Sequence, residues 1–78
     1  MTKRVNKIIA GITGTEAEDV GHEDNILLDL KFDSLDLLEL AMSLENEFNI
    51  SIPDRDFSRF IIVNDIVEYL EERLSIAA

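Results

Sequence analysis

Between Ser34 and Phe48 the chain runs for 15 residues without a proline or a glycine, and that run constrains the fold more than any other feature. Leu37, Leu40, Ala41, Leu44 and Phe48 recur along it at helical spacing. At about 100° per residue these positions fall within a window of about 100°, the stripe a helix turns toward a core. Asp33 precedes the run as a good N-cap, and Asp36 stands three residues later, a carboxylate version of the capping box. Asn49 offers the stop. The spacing therefore predicts a helix from Ser34 to Phe48.

The rest of the chain supplies elements for this helix to pack against. Val5, Ile8, Ile9 and Ile12 make one apolar face, and Gly11 and Gly14 mark where that first helix should fray and stop. Residues 15–33 show no sustained period and read as a long loop, pinned to the core by Ile26 and Leu30. A connection of that length is uncommon in a compact domain and is usually functional or disordered. Ile50 to Asp54 reads as an extended connector because Pro53 pushes its predecessor away from helical angles. Asp54 is the expected cap of a short helical turn carrying Phe57 and Phe60. Val63, Val67, Leu70 and Leu74 form the last apolar face, with Asp65 and Glu68 as its capping pair. The expected fold is all-α, a four-helix bundle with a long first loop and a short third helix, spanning 1–78 as a single domain.

A chain of 78 residues holds one core and little else, since a domain this small buries only about 60% of its unfolded surface. A two-lobed enzyme is excluded. The absence of cysteine removes disulfides and Cys-ligated metals. His22 is the only histidine, so a Ser-His-Asp arrangement would rest on one imidazole in a polar loop. Asp29, Asp33 and Asp36 do not follow the spacing of a calcium loop, and no metal site is expected. With 17 acidic against 7 basic residues the formal charge is −10, which repels nucleic acid and anionic lipid and favours partners with basic surfaces. The apolar run after the basic N-terminus is too short for a signal peptide, and no stretch approaches a membrane span. A monomer in the cytoplasm is the expectation.

The outward side of the central helix is not uniformly polar. Leu35, Leu38 and Met42 project about 100° to 160° away from Leu37, outside the core stripe. Six carboxylates (Asp33, Asp36, Glu39, Glu45, Glu47 and Asp54) lie between Phe32 and Arg55 with no lysine or arginine among them. Apolar residues to bury and acids to steer a basic partner make a docking surface. The competing reading packs Leu35, Leu38 and Met42 under the long loop and leaves the acids as a solvated face. Ser34 opens the helix beside the better cap, Asp33, so its hydroxyl is free; a phosphate there would meet the positive end of the helix dipole, opposed by Asp33 and Asp36.

The run Asp33-Ser34-Leu35-Asp36-Leu37-Leu38-Glu39-Leu40, continuing to Glu45-Asn46-Glu47-Phe48 and closing on Ile52-Pro53-Asp54, resembles the acyl carrier protein family over nearly the whole chain. The resemblance implies a four-helix bundle that is not itself an enzyme. It implies 4'-phosphopantetheine from coenzyme A on the serine matching Ser34, with the acyl cargo on the arm's terminal thiol, so that a chain without cysteine works through a cofactor's thiol. It further implies docking through Asp33, Leu35, Asp36, Leu38, Glu39, Met42, Glu45 and Glu47, and an acyl pocket among Leu40, Leu44, Phe48, Ile52, Phe57 and Ile61. The implied partners are a phosphopantetheinyl transferase and acyl-transferring or acyl-modifying enzymes with basic docking surfaces.

Several positions depart from the housekeeping carriers of fatty acid synthesis. Lys31 and Phe32 replace a glycine and a small or polar residue, placing a basic and a bulky aromatic residue beside the attachment site. Arg55 and Arg59 stand in the short third helix, where such carriers are usually acidic, and Phe60-Ile61-Ile62 is more apolar than usual. Fatty acid synthesis leads among pathways, ahead of modified-lipid, polyketide or aminoacyl cargo. The rivals from other classes are an acidic adaptor without a prosthetic group and a small hydrolase using Ser34.

Overall fold

The computed structural model describes residues 1–74; the last four residues of the expected 1–78 domain lie outside the described residues. Three α-helices carry the architecture: α1 (Thr2–Thr13), α2 (Ser34–Phe48) and α3 (Val63–Leu74). Two 3-10 helices lie between them, Ala17–Asp19 in the long loop and Asp54–Arg59 in the place expected for the short third helix. The first helix packs against both α2 and α3. Val5, Ile9, Ile26, Leu40, Leu44, Val63, Ile66, Tyr69 and Leu70 are sealed from solvent at their junction, with no charged residue buried among the described residues.

Local chemistry explains where each helix ends. Gly14 adopts a left-handed φ of 76° and returns its N–H to Ala10 O, closing α1. The helix passes through Gly11, expected to fray it, because the face buried by Ile9 and Ala10 before that residue is continued after it by Ile12, which packs against the core. The start of α2 is fixed by a reciprocal pair of bonds. Asp36 N–H donates to Asp33 Oδ1 at 2.9 Å, and Asp33 N–H donates to Asp36 Oδ2 at 3.1 Å. Asn49 ends α2 at φ 54°, one of the few non-glycine residues that tolerates this conformation.

Two expected caps are corrected. Asp54 caps nothing, since it is already the first residue of its 3-10 helix and the N-cap position falls on Pro53, which has no side-chain acceptor. Asp65 and Glu68 do not pair across a helix start, because α3 begins two residues before Asp65. The Asp65 carboxylate instead reaches back to the N–H groups of Ile61 and Ile62 at 3.0 and 2.9 Å, and Glu68 accepts from Asn64 Nδ2 at 3.1 Å.

The long loop is more structured than its sequence suggests. Besides its 3-10 helix, it pairs with the approach to α3: Ile26 N–H donates to Ile61 O at 2.9 Å and Val63 N–H to Asp24 O at 3.0 Å. Ile26 is buried and Leu30 half-buried as expected, while Val20 and Phe32 are further buried anchors. Phe32 thus turns into the core and does not crowd the serine two residues on.

The second 3-10 helix is held against α3 by an aromatic and charged cluster. Phe60 meets Phe57 and Tyr69 edge-on, with ring centroids 5.8 and 5.2 Å apart. The Tyr69 hydroxyl donates to Asp56 Oδ2 at 2.6 Å, and Arg73 bonds both that hydroxyl and Ser51 O. Burial, reinforced by the Asp56 hydrogen bond and opposed by Arg73, pushes the Tyr69 phenol above its ordinary range. It therefore stays protonated and keeps its role as donor at neutral pH.

Candidate functional site

Ser34 stands where the loop gives way to α2, exposed, at the first residue of the helix. The cap interactions that a helix-start serine would make are already made by Asp33 and Asp36. Its hydroxyl enters no hydrogen bond among the described residues. A free hydroxyl on a start fixed at both capping positions is well presented for modification.

The apolar residues around it are in solvent. Leu35, Leu38 and Met42 are 74%, 57% and 61% exposed, which overturns the reading that packs them under the loop. Sequence reasoning missed three more: Leu27 and Leu28 from the loop and Ile61 before α3 are also exposed. Ile26-Leu27-Leu28 carried the signal, because three consecutive apolar residues cannot all face one core. Leu27, Leu28 and Ile61 line a cleft of about 400 Å³ together with Leu37, Phe57 and Phe60. The cleft meets α2 at Leu37, about one helical turn from Ser34, and Ser34 itself does not line it. A second cleft of about 420 Å³, lined by Lys3, Asn6, Lys7 and Glu18, contains none of the residues singled out for this site.

The residues expected to form an acyl pocket divide. Leu40, Leu44, Phe48 and Ile52 belong to the core, and Phe57 is half-buried at the edge of the cleft. Ile61 is not interior. Its N–H is held by Asp65 and its carbonyl by Ile26, which leaves its side chain 59% exposed on the rim.

The acids also divide. Glu39 is exposed and unpaired among the described residues. Glu45 is half-buried and accepts from Ile52 N–H at 2.7 Å, so its charge serves the connector after α2. Glu47 pairs with Arg4 at 2.8 Å, and the Arg4 guanidinium lies 4.4 Å from the centroid of the Phe48 ring. Fewer free acids face outward than the sequence suggests.

Lys31 has an unexpected backbone. It is exposed and adopts φ 58°, a left-handed conformation that costs an ordinary L-residue roughly 1–2 kcal/mol. Arg55 and Arg59 are exposed, and Arg59 approaches Glu72 at 3.5 Å.

An exposed serine with an unengaged hydroxyl at a capped helix start, with exposed apolar side chains on the same helix, is a candidate site for covalent attachment. The family described as phosphopantetheine attachment site matches residues 3–70, and the chain belongs to that family. The fold agrees with a candidate acyl carrier protein from Mycobacterium tuberculosis, 30% identical, with a TM-score of 0.84 over 94% of this chain and 99% of that one. It also agrees with a candidate acyl carrier protein from Anaplasma phagocytophilum, 28% identical, with a TM-score of 0.82 over 92% and 85%. The protein is thus an acyl-carrier-like domain, of a family that bears covalent 4'-phosphopantetheine and is not normally catalytic. The residues present fit that group: the Ser34 hydroxyl is exposed and unengaged, and a cleft with apolar walls reaches α2 at Leu37, about one turn along the helix. No helix among the described residues is long and apolar enough to cross a membrane.

Proposed function

We propose that this chain is a free-standing, single-domain acyl carrier whose attachment residue is Ser34, working as a cytoplasmic monomer in fatty acid or related lipid biosynthesis. The observation that carries the reading is the exposed Ser34 hydroxyl at a helix start whose caps are made by other residues. The arm supplies a terminal thiol that holds acyl groups as thioesters; everything else is the work of the protein. Asp33 and Asp36 fix the helix start, so the serine is presented to a transferase at one defined place. Leu35, Leu38 and Met42 supply the area that partner enzymes bury, and Glu39 supplies a free charge for steering basic surfaces toward it. Leu27, Leu28 and Ile61 extend the apolar area to the cleft rim.

The test is the intact mass after incubation with coenzyme A and a broad-specificity phosphopantetheinyl transferase. The wild type is expected to gain one phosphopantetheinyl unit and Ser34→Ala none, with both proteins folded by circular dichroism. A folded wild type that gains no mass, while the same transferase modifies a known carrier, rejects the reading and favours the adaptor.

A further inference from the structure

The backbone at Lys31 is required by the fold, but the lysine is not. Residues 25–30 wind into a single turn, in which Asn25 O accepts from the N–H groups of Asp29 and Leu30 at 2.8 and 3.0 Å. The chain then reverses, so that Phe32 N–H reaches Ile26 O at 3.1 Å and the Phe32 ring enters the core. That reversal needs a left-handed residue, and glycine adopts the conformation without strain. The other two left-handed positions hold Gly14 and Asn49, residue types suited to it. Lys31 is the exception. Its side chain is exposed and takes part in no ion pair or hydrogen bond among the described residues, so neither packing nor pairing accounts for it.

Electrostatics gives the lysine a purpose. A phosphodiester on Ser34 would bring a full negative charge between the carboxylates of Asp33 and Asp36, on a chain of formal charge −10. The nearby Asp36 N–H, one donor that could have served the phosphate, is already taken by Asp33. Lys31 is the only lysine or arginine between Ile8 and Asp54, and it lies three residues from the serine at the same junction of loop and helix. A cation at a strained position beside a site where negative charge accumulates is best explained by that charge.

Resting on the assignment of Ser34 as the attachment residue, we infer that Lys31 is a positioning residue that holds the phosphodiester at the root of the prosthetic arm. The experiment compares apo and modified forms of wild type, Lys31→Met and Lys31→Arg, each verified by intact mass. The readouts are the ³¹P resonance of the phosphodiester at low and high salt and the difference in Tm between modified and apo protein. In wild type and Lys31→Arg the resonance moves with salt, as a screened ion pair requires. In Lys31→Met the salt response departs from that of the wild type, because only the repulsion from Asp33 and Asp36 is left to screen, and the Tm difference falls by roughly 2–4 °C relative to wild type, a readable shift for so small a domain. Using each variant's own apo form as reference removes any effect of the substitution on folding. A modified Lys31→Met protein with the wild-type resonance, salt response and Tm difference overturns the inference while leaving the carrier reading intact. Failure of the wild type to gain mass overturns the carrier reading itself, and this inference with it.

Discussion

The two ends of α2 look alike in sequence and work differently in the structure. At the N-terminal end Asp33 and Asp36 satisfy each other's backbone, a local arrangement complete within four residues. At the C-terminal end Glu45 and Glu47 reach out of the helix, one to Ile52 N–H and the other to Arg4 in α1. The first end is self-contained, so its exposed hydroxyl is left over for chemistry. The second end spends its carboxylates on tertiary structure and leaves nothing over. A run of acids is therefore not a charged surface until the partner of each carboxylate is known.

Glu45 offers the sharpest way to break this contrast. Replacing it with Ala strands the Ile52 N–H next to a buried side chain, and an unsatisfied buried donor costs about 1–3 kcal/mol. Urea denaturation of apo Glu45→Ala is expected to show a loss in that range, slightly offset by the better helix propensity of alanine. A change near zero would mean that the C-terminal end is no more dependent on its acids than an ordinary solvated surface. Asp33→Ala comes next, at about 1 kcal/mol for a lost N-cap. Because that damage is confined to the helix start, amide exchange should quicken in the first turn of α2 and not around Ile52. Acceleration at both ends would show that the helix start is not self-contained.

The same contrast explains how much could be read beforehand. The N-terminal cap, the stop at Asn49 and the core stripe of α2 all depend on residues within a turn or two of one another, and they were legible. So was the candidate status of Ser34, once Asp33 was recognised as the better cap. That Leu35, Leu38 and Met42 lie outside that stripe was legible too, but whether the loop covers them was not, because that depends on where distant residues pack. The Glu45–Ile52 bond spans seven residues and the Arg4–Glu47 pair 43, and no local pattern announces either. Burial of Phe32 also escaped, because it depends on the reversal at Lys31, and lysine is not a residue whose presence suggests a left-handed turn. The caps expected from Asp54 and Asp65 failed for a simpler reason. Each helical segment starts earlier than the capping pattern implied, so the carboxylate falls inside it.

The smallest effect separates charge that holds the fold from charge that serves a partner. The Arg4–Glu47 pair is about half exposed on both sides, where an ion pair contributes roughly 0.2–1 kcal/mol and is screened by salt. Arg4 also keeps its place over the Phe48 ring without Glu47, which favours the low end of that range. Glu47→Gln should therefore lower stability by only a few tenths of a kcal/mol in denaturation at low salt, and by less at high salt. Glu39→Gln should leave stability unchanged, because Glu39 has no partner among the described residues to lose. Association with the transferase should rank them the other way: Glu39→Gln slows the on-rate at low ionic strength more than Glu47→Gln does. If Glu47→Gln slows association more, the carboxylate paired with Arg4 is exchanged to the partner on docking, and the C-terminal end of α2 joins the N-terminal end as working surface.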